Sequence, residues 1–223
     1  MSTTTTAQPN VGSNLIRFHR VITRALAVAG ERCGYYIENG FPDAATQNGF
    51  RTYIQCMITI LHGHHQSEDD LAFPCFKLKL PGAPYARLEE EHRRMQPMLS
   101  AMQGAIDVMN DSPADSLHTL SFAFADLNAL WGEHISSEED HFSCQALAAV
   151  FKPEEHVDLG RKLAEYGQQH SAPHELTVPF ILFNLPPDER AIMSALLPPE
   201  IVNHLIPVVW KDQWSPMKPF LLD

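Results

Sequence analysis

The chain has 223 residues, 44% of them hydrophobic, and its 27 acidic residues outnumber its 16 basic residues for a net charge of −11. This charge repels nucleic-acid phosphates and anionic membranes, so we expect neither as a partner. The polar first ten residues lack the basic and apolar regions of a signal peptide, and no apolar stretch is long enough to span a bilayer. The composition predicts a cytoplasmic protein with one main core.

The cysteines are widely spaced and form no Cys-x-x-Cys pair, at Cys33, Cys56, Cys75 and Cys144. This spacing argues against a zinc knuckle and against a dithiol redox motif, and it predicts reduced, mostly buried thiols. Histidine is the unusual component of the composition, with 12 residues. The positions of these histidines carry the functional argument.

Apolar residues recur at helical spacing through most of the first 150 residues. The pattern predicts four long helices, at about residues 13–38, 44–80, 85–109 and 114–150. Ser13 is the predicted N-cap of the first helix, and Pro74 and Pro97 are expected to bend the second and third. Long helices joined by short turns, without a comparable strand pattern, indicate an all-α, up-down-up-down four-helix bundle.

The chain divides into three predicted parts, namely a disordered segment at residues 1–12, the bundle at 13–150 and a C-terminal extension at 151–223. The extension is rich in proline, and we predict short helices in it at about residues 154–169, 186–197 and 199–209. Its apolar anchors are Trp210, Trp214 and Phe220. We therefore expect the extension to pack on the bundle as a cover.

Each predicted bundle helix carries one histidine in its apolar stripe, and two of these histidines begin a His-x-x-x-Glu sequence. Positions i and i+4 lie one turn apart on one helix face, so an imidazole and a carboxylate can reach the same ion. Burying these groups unpaired is costly, and a metal would pair them. The predicted ligands are His19, His64, Glu68, His92, His134 and Glu138.

The predicted ligands form two matching halves, each a lone histidine followed by His-x-x-x-Glu. The spacing between the histidines is 45 residues in the first half and 42 in the second. This repeat suits two metal ions, with Glu68 and Glu138 bridging them. Nitrogen and oxygen ligands without sulfur favour iron, and then manganese, over calcium or structural zinc.

Other polar residues near the predicted ligands have simpler interpretations. His65 and Asp69 repeat the i, i+4 spacing one residue out of phase, but His65 lies off the apolar stripe. We interpret His65 as solvated or as supporting a ligand from outside, and Asp69, Glu139 and the acidic run 89–91 as surface charges. A single histidine on an apolar face is more often a core residue satisfied by a hydrogen bond, whereas four on four stripes favour a metal.

The remaining histidines show no ligand pattern. His141 shares a face with His134 but lies about 10 Å along the helix, so we predict packing or a supporting hydrogen bond. Tyr53 is predicted to be a core residue. The methionines at helical spacing are predicted to fill the core, at Met57, Met95 and Met102. Surface positions are expected for His62, His118, His156, His170, His174 and His204.

Over residues 14–150 the chain resembles the hemerythrin-like HHE cation-binding family. The resemblance rests on His19 in Phe-His-Arg, His64-His-Gln-Ser-Glu68, His92 in Glu-His-Arg-Arg, and His134-Ile-Ser-Ser-Glu138. It implies an oxo- or hydroxo-bridged di-iron site that reacts with dioxygen, hydrogen peroxide or nitric oxide. Oxygen-carrying hemerythrins have a fifth histidine four residues after the third-helix ligand, and this chain has Gln96 there. The resemblance is therefore to a four-histidine variant.

The missing histidine bears on the predicted chemistry. Two octahedral irons offer about twelve coordination positions, and four imidazoles, two bridging carboxylates and a bridging oxygen fill about ten. The open positions favour peroxidase- or catalase-like detoxification of hydrogen peroxide or nitric oxide over oxygen carriage, with no catalytic residue beyond the metal ligands. The alternative is a module that senses dioxygen, nitric oxide or redox state, or binds dioxygen, without turnover. Iron storage is disfavoured because ferritin-like sites use Glu-x-x-His.

Overall fold

The computed structural model describes residues 10–223, and all regular secondary structure in this range is helical. The α-helices, in chain order, are α1 (Val11–Asn39), α2 (Ala44–Ser67), α3 (Phe73–Lys77), α4 (Tyr85–Asp107), α5 (Pro113–His141), α6 (Cys144–Val150), α7 (Pro153–His170), α8 (His174–Phe183), α9 (Pro187–Ser194) and α10 (Lys211–Trp214). Two π-helical segments (Glu68–Ala72 and Ile201–Val209) and a 3₁₀-helix (Ser215–Phe220) complete the chain. The predicted all-α fold is confirmed.

The bundle is formed by the four long helices α1, α2, α4 and α5. Helices α1 and α4 each pack against both α2 and α5, so the four enclose one core. The core is apolar, and the three methionines predicted to fill it are fully buried. Within residues 10–223, no helix is both long and apolar enough to cross a membrane.

Helix α1 begins earlier than the sequence predicts. Asn10, not Ser13, is the N-cap, since the Asn10 side chain accepts a hydrogen bond from the backbone N–H of Gly12. Of the predicted disordered segment, residues 1–9 lie outside the described residues, whereas Val11 and Gly12 are helical. The helix ends at Gly40, whose φ of 71° lies in a region that only glycine adopts readily.

The predicted second helix is interrupted before Pro74. Regular α2 ends at Ser67, and the chain forms a wide π turn over Glu68–Ala72 before α3. The backbone N–H of Phe73 donates to the carbonyl of Glu68, five residues back. Pro74 has no N–H to donate to the carbonyl of residue 70, which weakens the α-helical pattern at this turn. The distortion therefore starts one turn upstream of the proline.

The predicted fourth helix is two helices. Helix α5 ends at His141, and Ser143 starts α6 because its side chain accepts a hydrogen bond from the backbone N–H of Ala146. Phe142, between the two helices, is fully buried against Phe76 and other aromatic rings. The break turns the chain across the end of the bundle.

The C-terminal extension packs on the bundle, as predicted. Helices α7 and α8 and the 3₁₀-helix all contact α2, and Phe180 and Phe220 are buried in the same core cluster as the bundle residues. Trp214 is also buried, and Trp210 packs at the edge of that cluster. Helix α8 is an element that the sequence patterns did not predict. The predicted helix at 199–209 is a π-helical segment in the structure.

Candidate metal centre

The six predicted ligand side chains converge inside the bundle. His19 comes from α1, His64 from α2 and His92 from α4. Helix α5 supplies His134 and Glu138, and the π turn supplies Glu68. All six are buried, and His64 is the most exposed of them at 8%. The fold therefore brings together every residue that the helical stripes predict to be a ligand.

The ligand atoms form two overlapping groups. One group contains His19 and His64, the other contains His92 and His134, and both groups include the two glutamates, Glu68 and Glu138. Within each group the candidate ligand atoms lie within 4.8 Å of one another. Two ions that share both carboxylates would use this arrangement completely.

The Nε2 atoms of His92 and His134 are spaced so that both could bind one cation. Nδ1 of His92 lies 2.8 Å from Oδ1 of Asp69, and Nδ1 of His134 lies 3.0 Å from Oε2 of Glu91. Because an ionised carboxylate only accepts hydrogen bonds, both Nδ1 atoms carry the proton, and each Nε2 of a neutral ring presents a lone pair. The two Nε2 atoms are 3.1 Å apart. Two ligands at right angles, each about 2.1 Å from one ion, would be separated by about 3.0 Å.

The shared glutamates lie at similar distances from the histidines. Oε2 of Glu138 is 3.0 Å from Nε2 of His19, and its Oε1 is 3.4 Å from Nε2 of His134. Oε1 of Glu68 is 3.4 Å from Nε2 of His64, and its Oε2 is 3.5 Å from Nε2 of His92. Each carboxylate thus directs one oxygen to each group, as a bridging ligand requires.

Unpaired polar atoms are concentrated at this site. Half of the buried side-chain polar atoms that have no hydrogen-bond partner within residues 10–223 belong to the six ligands, including all four carboxylate oxygens of Glu68 and Glu138. Leaving a buried polar atom unpaired costs about 1–3 kcal/mol, and more when the group is charged. A cation in contact with these atoms would remove that cost, so the donor set fits a metal.

The pKa values of the two glutamates show how they compete for charge. Burial raises the pKa of Glu68 well above its ordinary 4.5, and the neighbouring charge of Glu138 raises it further. Burial also raises the pKa of Glu138, but its close contact with His19 and the nearby charge of His134 outweigh burial and lower it. The site by itself therefore favours one charged carboxylate, and a cation between the two would stabilise both in the ionised form.

The histidines are mostly held in the neutral form that binds metals. Burial lowers the pKa of His64 well below 6.5, and burial also lowers that of His134 despite the opposing effect of Glu138. Burial lowers the pKa of His19 as well, but its close contacts with Glu138 and Glu139 outweigh burial and raise it. A metal ion would have to displace a proton at His19, but not at His64 or His134.

Carboxylates outside the ligand set form hydrogen bonds that orient the ligand histidines. The prediction that these carboxylates are surface charges did not include this role. Asp69, directly after one shared glutamate, bonds His92, and Glu139, directly after the other, bonds Nδ1 of His19 at 2.9 Å. Both side chains are only partly exposed, at 36% and 39%. The two halves of the repeat therefore also match in this supporting contact.

Glu91 was predicted to belong to a solvated acidic run, and this prediction is wrong. Its side chain is buried, hydrogen-bonded to His134, and paired through Oε1 with Nε of Arg87 at 3.2 Å. The helical position of Glu91, one residue before His92, turns it toward α5. Its neighbour Glu90 faces outward and pairs with Arg93 on the surface of α4.

His65 is the main residue that the sequence patterns misplaced. Its side chain is 2% exposed, which excludes the solvated interpretation. One of its ring nitrogens lies within 4.8 Å of a ring nitrogen of both His92 and His134. Burial lowers the pKa of His65 well below 6.5, so the ring is neutral. The sequence signals were its position one residue after a ligand and the apolar residues Ile58 and Leu61 on its own helix face, which are also buried.

Other candidate residues lie outside the cluster. Nε2 of Gln96, at the position of the missing fifth histidine, contacts Nδ1 of His62 at 2.6 Å. His141 is exposed and contacts the carbonyl of Ser137 in its own helix, so it is not near the metal site. Tyr53 is a core residue, as predicted, and donates to Asn184. His156 is buried rather than exposed, and its Nδ1 accepts the backbone N–H of Val11.

Aromatic rings enclose the metal site. The Trp131 ring lies 5.7 Å from the His19 ring and 5.9 Å from the His134 ring, measured between centroids. Phe73, just after the π turn, is nearly parallel to the His92 ring at 5.7 Å. These rings and the burial of the ligand side chains separate the site from bulk solvent.

Comparison with protein families gives one result for this chain. The model of the hemerythrin HHE cation binding domain matches residues 13–146. The match covers more than half of the chain and includes the six converging side chains. A comparison with curated proteins and one with solved structures gave no significant match.

Proposed function

We propose that this chain, which belongs to the hemerythrin HHE cation-binding family and is a metal-binding protein, holds two iron ions that react with hydrogen peroxide, nitric oxide or both. The ligands in this proposal are the six side chains predicted from the helical stripes. The main support for this proposal is that Glu68 and Glu138 belong to both ligand groups. Four imidazoles and two carboxylates favour iron, with manganese as the less favoured ion.

The protein residues have distinct roles in this proposal. His19 and His64 hold one ion, His92 and His134 hold the other, and the glutamates join them. Iron supplies the redox chemistry that side chains lack. Asp69, Glu91 and Glu139 accept the Nδ1 protons and thereby keep three Nε2 lone pairs directed at the ions.

The size of the substrate follows from the enclosure of the site. The ligands are at most 8% exposed, and Trp131 and Phe73 cover them from two helices. Hydrogen peroxide, nitric oxide and dioxygen are small enough to reach such a site by side-chain motion alone. Because the protein ligands and a bridging oxygen would leave about two coordination positions open, we favour consumption of peroxide or nitric oxide over reversible oxygen carriage.

Turnover is tested by measuring the loss of hydrogen peroxide and of nitric oxide with purified, iron-loaded protein. We expect His64→Ala and Glu138→Ala to lower the rate about tenfold or more, because each removes a ligand. His118→Ala is the matched control, since His118 is an exposed histidine on α5 and should leave the rate unchanged. Equal rates in all four proteins would contradict a role for this site in turnover.

A second candidate function, sensing without turnover, is favoured by the contact between the extension and the π turn. Helix α7 packs on the π turn that carries Glu68. The hydroxyl of Tyr166 donates to Oδ2 of Asp70 at 2.7 Å. A change in the bond between Glu68 and its ions could therefore alter the docking of α7.

Limited proteolysis of the oxidised, reduced and metal-free proteins tests the sensing function. We expect faster cleavage of the extension in the metal-free protein, because Glu68 in the π turn is then not bound to an ion. Tyr166→Phe removes the hydrogen bond to Asp70 and should increase cleavage of the iron-loaded protein. Identical cleavage in the three metal states would count against sensing.

A further inference from the structure

His65 is a buried imidazole beside the metal site that the six-ligand arrangement does not use. It lies in the last turn of α2, next to the ligand His64. Its ring is 4.1 Å from the His92 ring and 5.6 Å from the His134 ring, measured between centroids. His65 thus adjoins the group formed by His92 and His134 more closely than the group formed by His19 and His64.

The ring nitrogens of His65 have no hydrogen-bond partner within residues 10–223. Both Nδ1 and Nε2 are buried. A neutral imidazole has one N–H donor and one lone pair, and burial normally requires a partner for each. A partner of His65 is therefore a group other than these protein residues, and the ring adjoins the metal site, where such a group can bind.

The orientation of the ring shows that His65 is not itself a ligand in this arrangement. The His65 and His92 rings are stacked, with 17° between their planes. An imidazole that binds a metal has the ion in its ring plane, and two separate, nearly parallel planes cannot both contain the same ion. The lone pair of His92 is directed at the ion, so the ion lies in the plane of the His92 ring. The plane of the His65 ring therefore passes beside the ion.

We infer that His65 donates a hydrogen bond to a small anion or diatomic molecule bound at the open position of the ion held by His92 and His134. This inference rests on the proposed iron centre and adds a residue that selects and retains its ligand. A ligand atom about 2 Å from the ion and about 2.8 Å from the donor places the donor about 4–5 Å from the other ligand atoms. One ring nitrogen of His65 lies within 4.8 Å of a ring nitrogen of His92 and of His134, which is compatible with this placement.

Azide binding to the iron-loaded protein tests this role, with iron content and the visible spectrum recorded for every variant. His65→Phe and His65→Leu fill the space without a donor, and His65→Gln restores a donor. His62→Phe is the matched control, because His62 is on the same helix and outside the cluster. We expect all variants to retain two irons. The two apolar variants of His65, His65→Phe and His65→Leu, should bind azide about ten- to a hundredfold more weakly than the wild-type protein. His65→Gln should recover part of the affinity.

Three results would overturn the inference. Wild-type azide affinity in His65→Phe and His65→Leu would show that no hydrogen bond is made. Loss of one iron in all three His65 variants would make His65 a ligand instead. A wild-type protein that holds two irons but no azide would leave His65 without the proposed role. Absence of iron from the wild-type protein would be a different failure, since it contradicts the proposed function itself.

Discussion

Individual carboxylates decide how strongly the ligand histidines can bind an ion. Glu91 is the most buried of the supporting carboxylates, and it fixes the tautomer of His134. We expect Glu91→Gln to weaken iron binding about 10- to 100-fold, because the amide is a poorer acceptor for Nδ1–H. Competition with a chelator measures this change, and Glu90→Gln, at an exposed position on the same helix, is the control. Equal affinity in the two variants would show that the contact with His134 does not support the metal.

The ligands could be predicted from sequence because each lies in an apolar helical stripe, and such stripes follow directly from helix geometry. The supporting carboxylates Asp69 and Glu139 lie one residue outside a stripe, where a side chain can reach either solvent or a neighbouring helix. Their repeated position, directly after each shared glutamate, was the available signal. His65 was misplaced because the buried face of α2 is wider than the stripe that carries His64. Leu61 and Ile58, four and seven residues before His65 on the same face, are buried as well.

At the scale of elements, the π turn and the docking of the extension are the features that helical periodicity does not contain. On a regular helix Leu71, seven residues after His64, would share its buried face, but the extra residue in the π turn moves burial to Ala72 and Phe73. Pro74 signalled a distortion, while its form depends on the packing of the following residues against α4 and α5. The docking of the extension depends on contacts with α2 that are distant in sequence.

The docking of the extension can be tested at Gly49. A Cβ at this position would lie 2.1 Å from the backbone carbonyl oxygen of Pro216 in the 3₁₀-helix. We expect Gly49→Ala to destabilise the protein by about 1–3 kcal/mol, although alanine favours a helix, because backbone atoms must move apart. Gly34→Ala is the matched control in α1, where an added Cβ meets nothing within 4 Å. Urea unfolding that shows equal stabilisation in both variants would exclude the close approach.

For the whole molecule, the buried titratable groups predict how the metal-free protein responds to acid. The lowered pKa values of His64, His65 and His134 mean that the unfolded chain takes up protons near pH 6.5 before the folded chain does, so stability falls as the pH falls. Glu68 has a raised pKa, so it has the opposite effect: it adds stability as the pH falls from its raised pKa in the folded chain to 4.5. The stabilising effect of the raised pKa of His19 is already complete below 6.5.

Because three histidines oppose one glutamate below pH 6.5, we expect the metal-free protein to lose stability from pH 6.5 to pH 5. Urea unfolding at several pH values measures this change. Iron-loaded protein is the comparison, since bound metal keeps these groups unprotonated until the ion is released. Constant or rising stability of the metal-free protein toward pH 5 would contradict the inferred burial of neutral histidines.

The central claim concerns the number and kind of metal ions in the bundle. Metal analysis of protein purified after expression with iron supplied, together with its visible spectrum, tests this claim most directly. We predict about two irons per chain and an oxo-bridge charge-transfer band, because two ligand groups share Glu68 and Glu138. A single zinc ion per chain, with no iron, would contradict the di-iron centre.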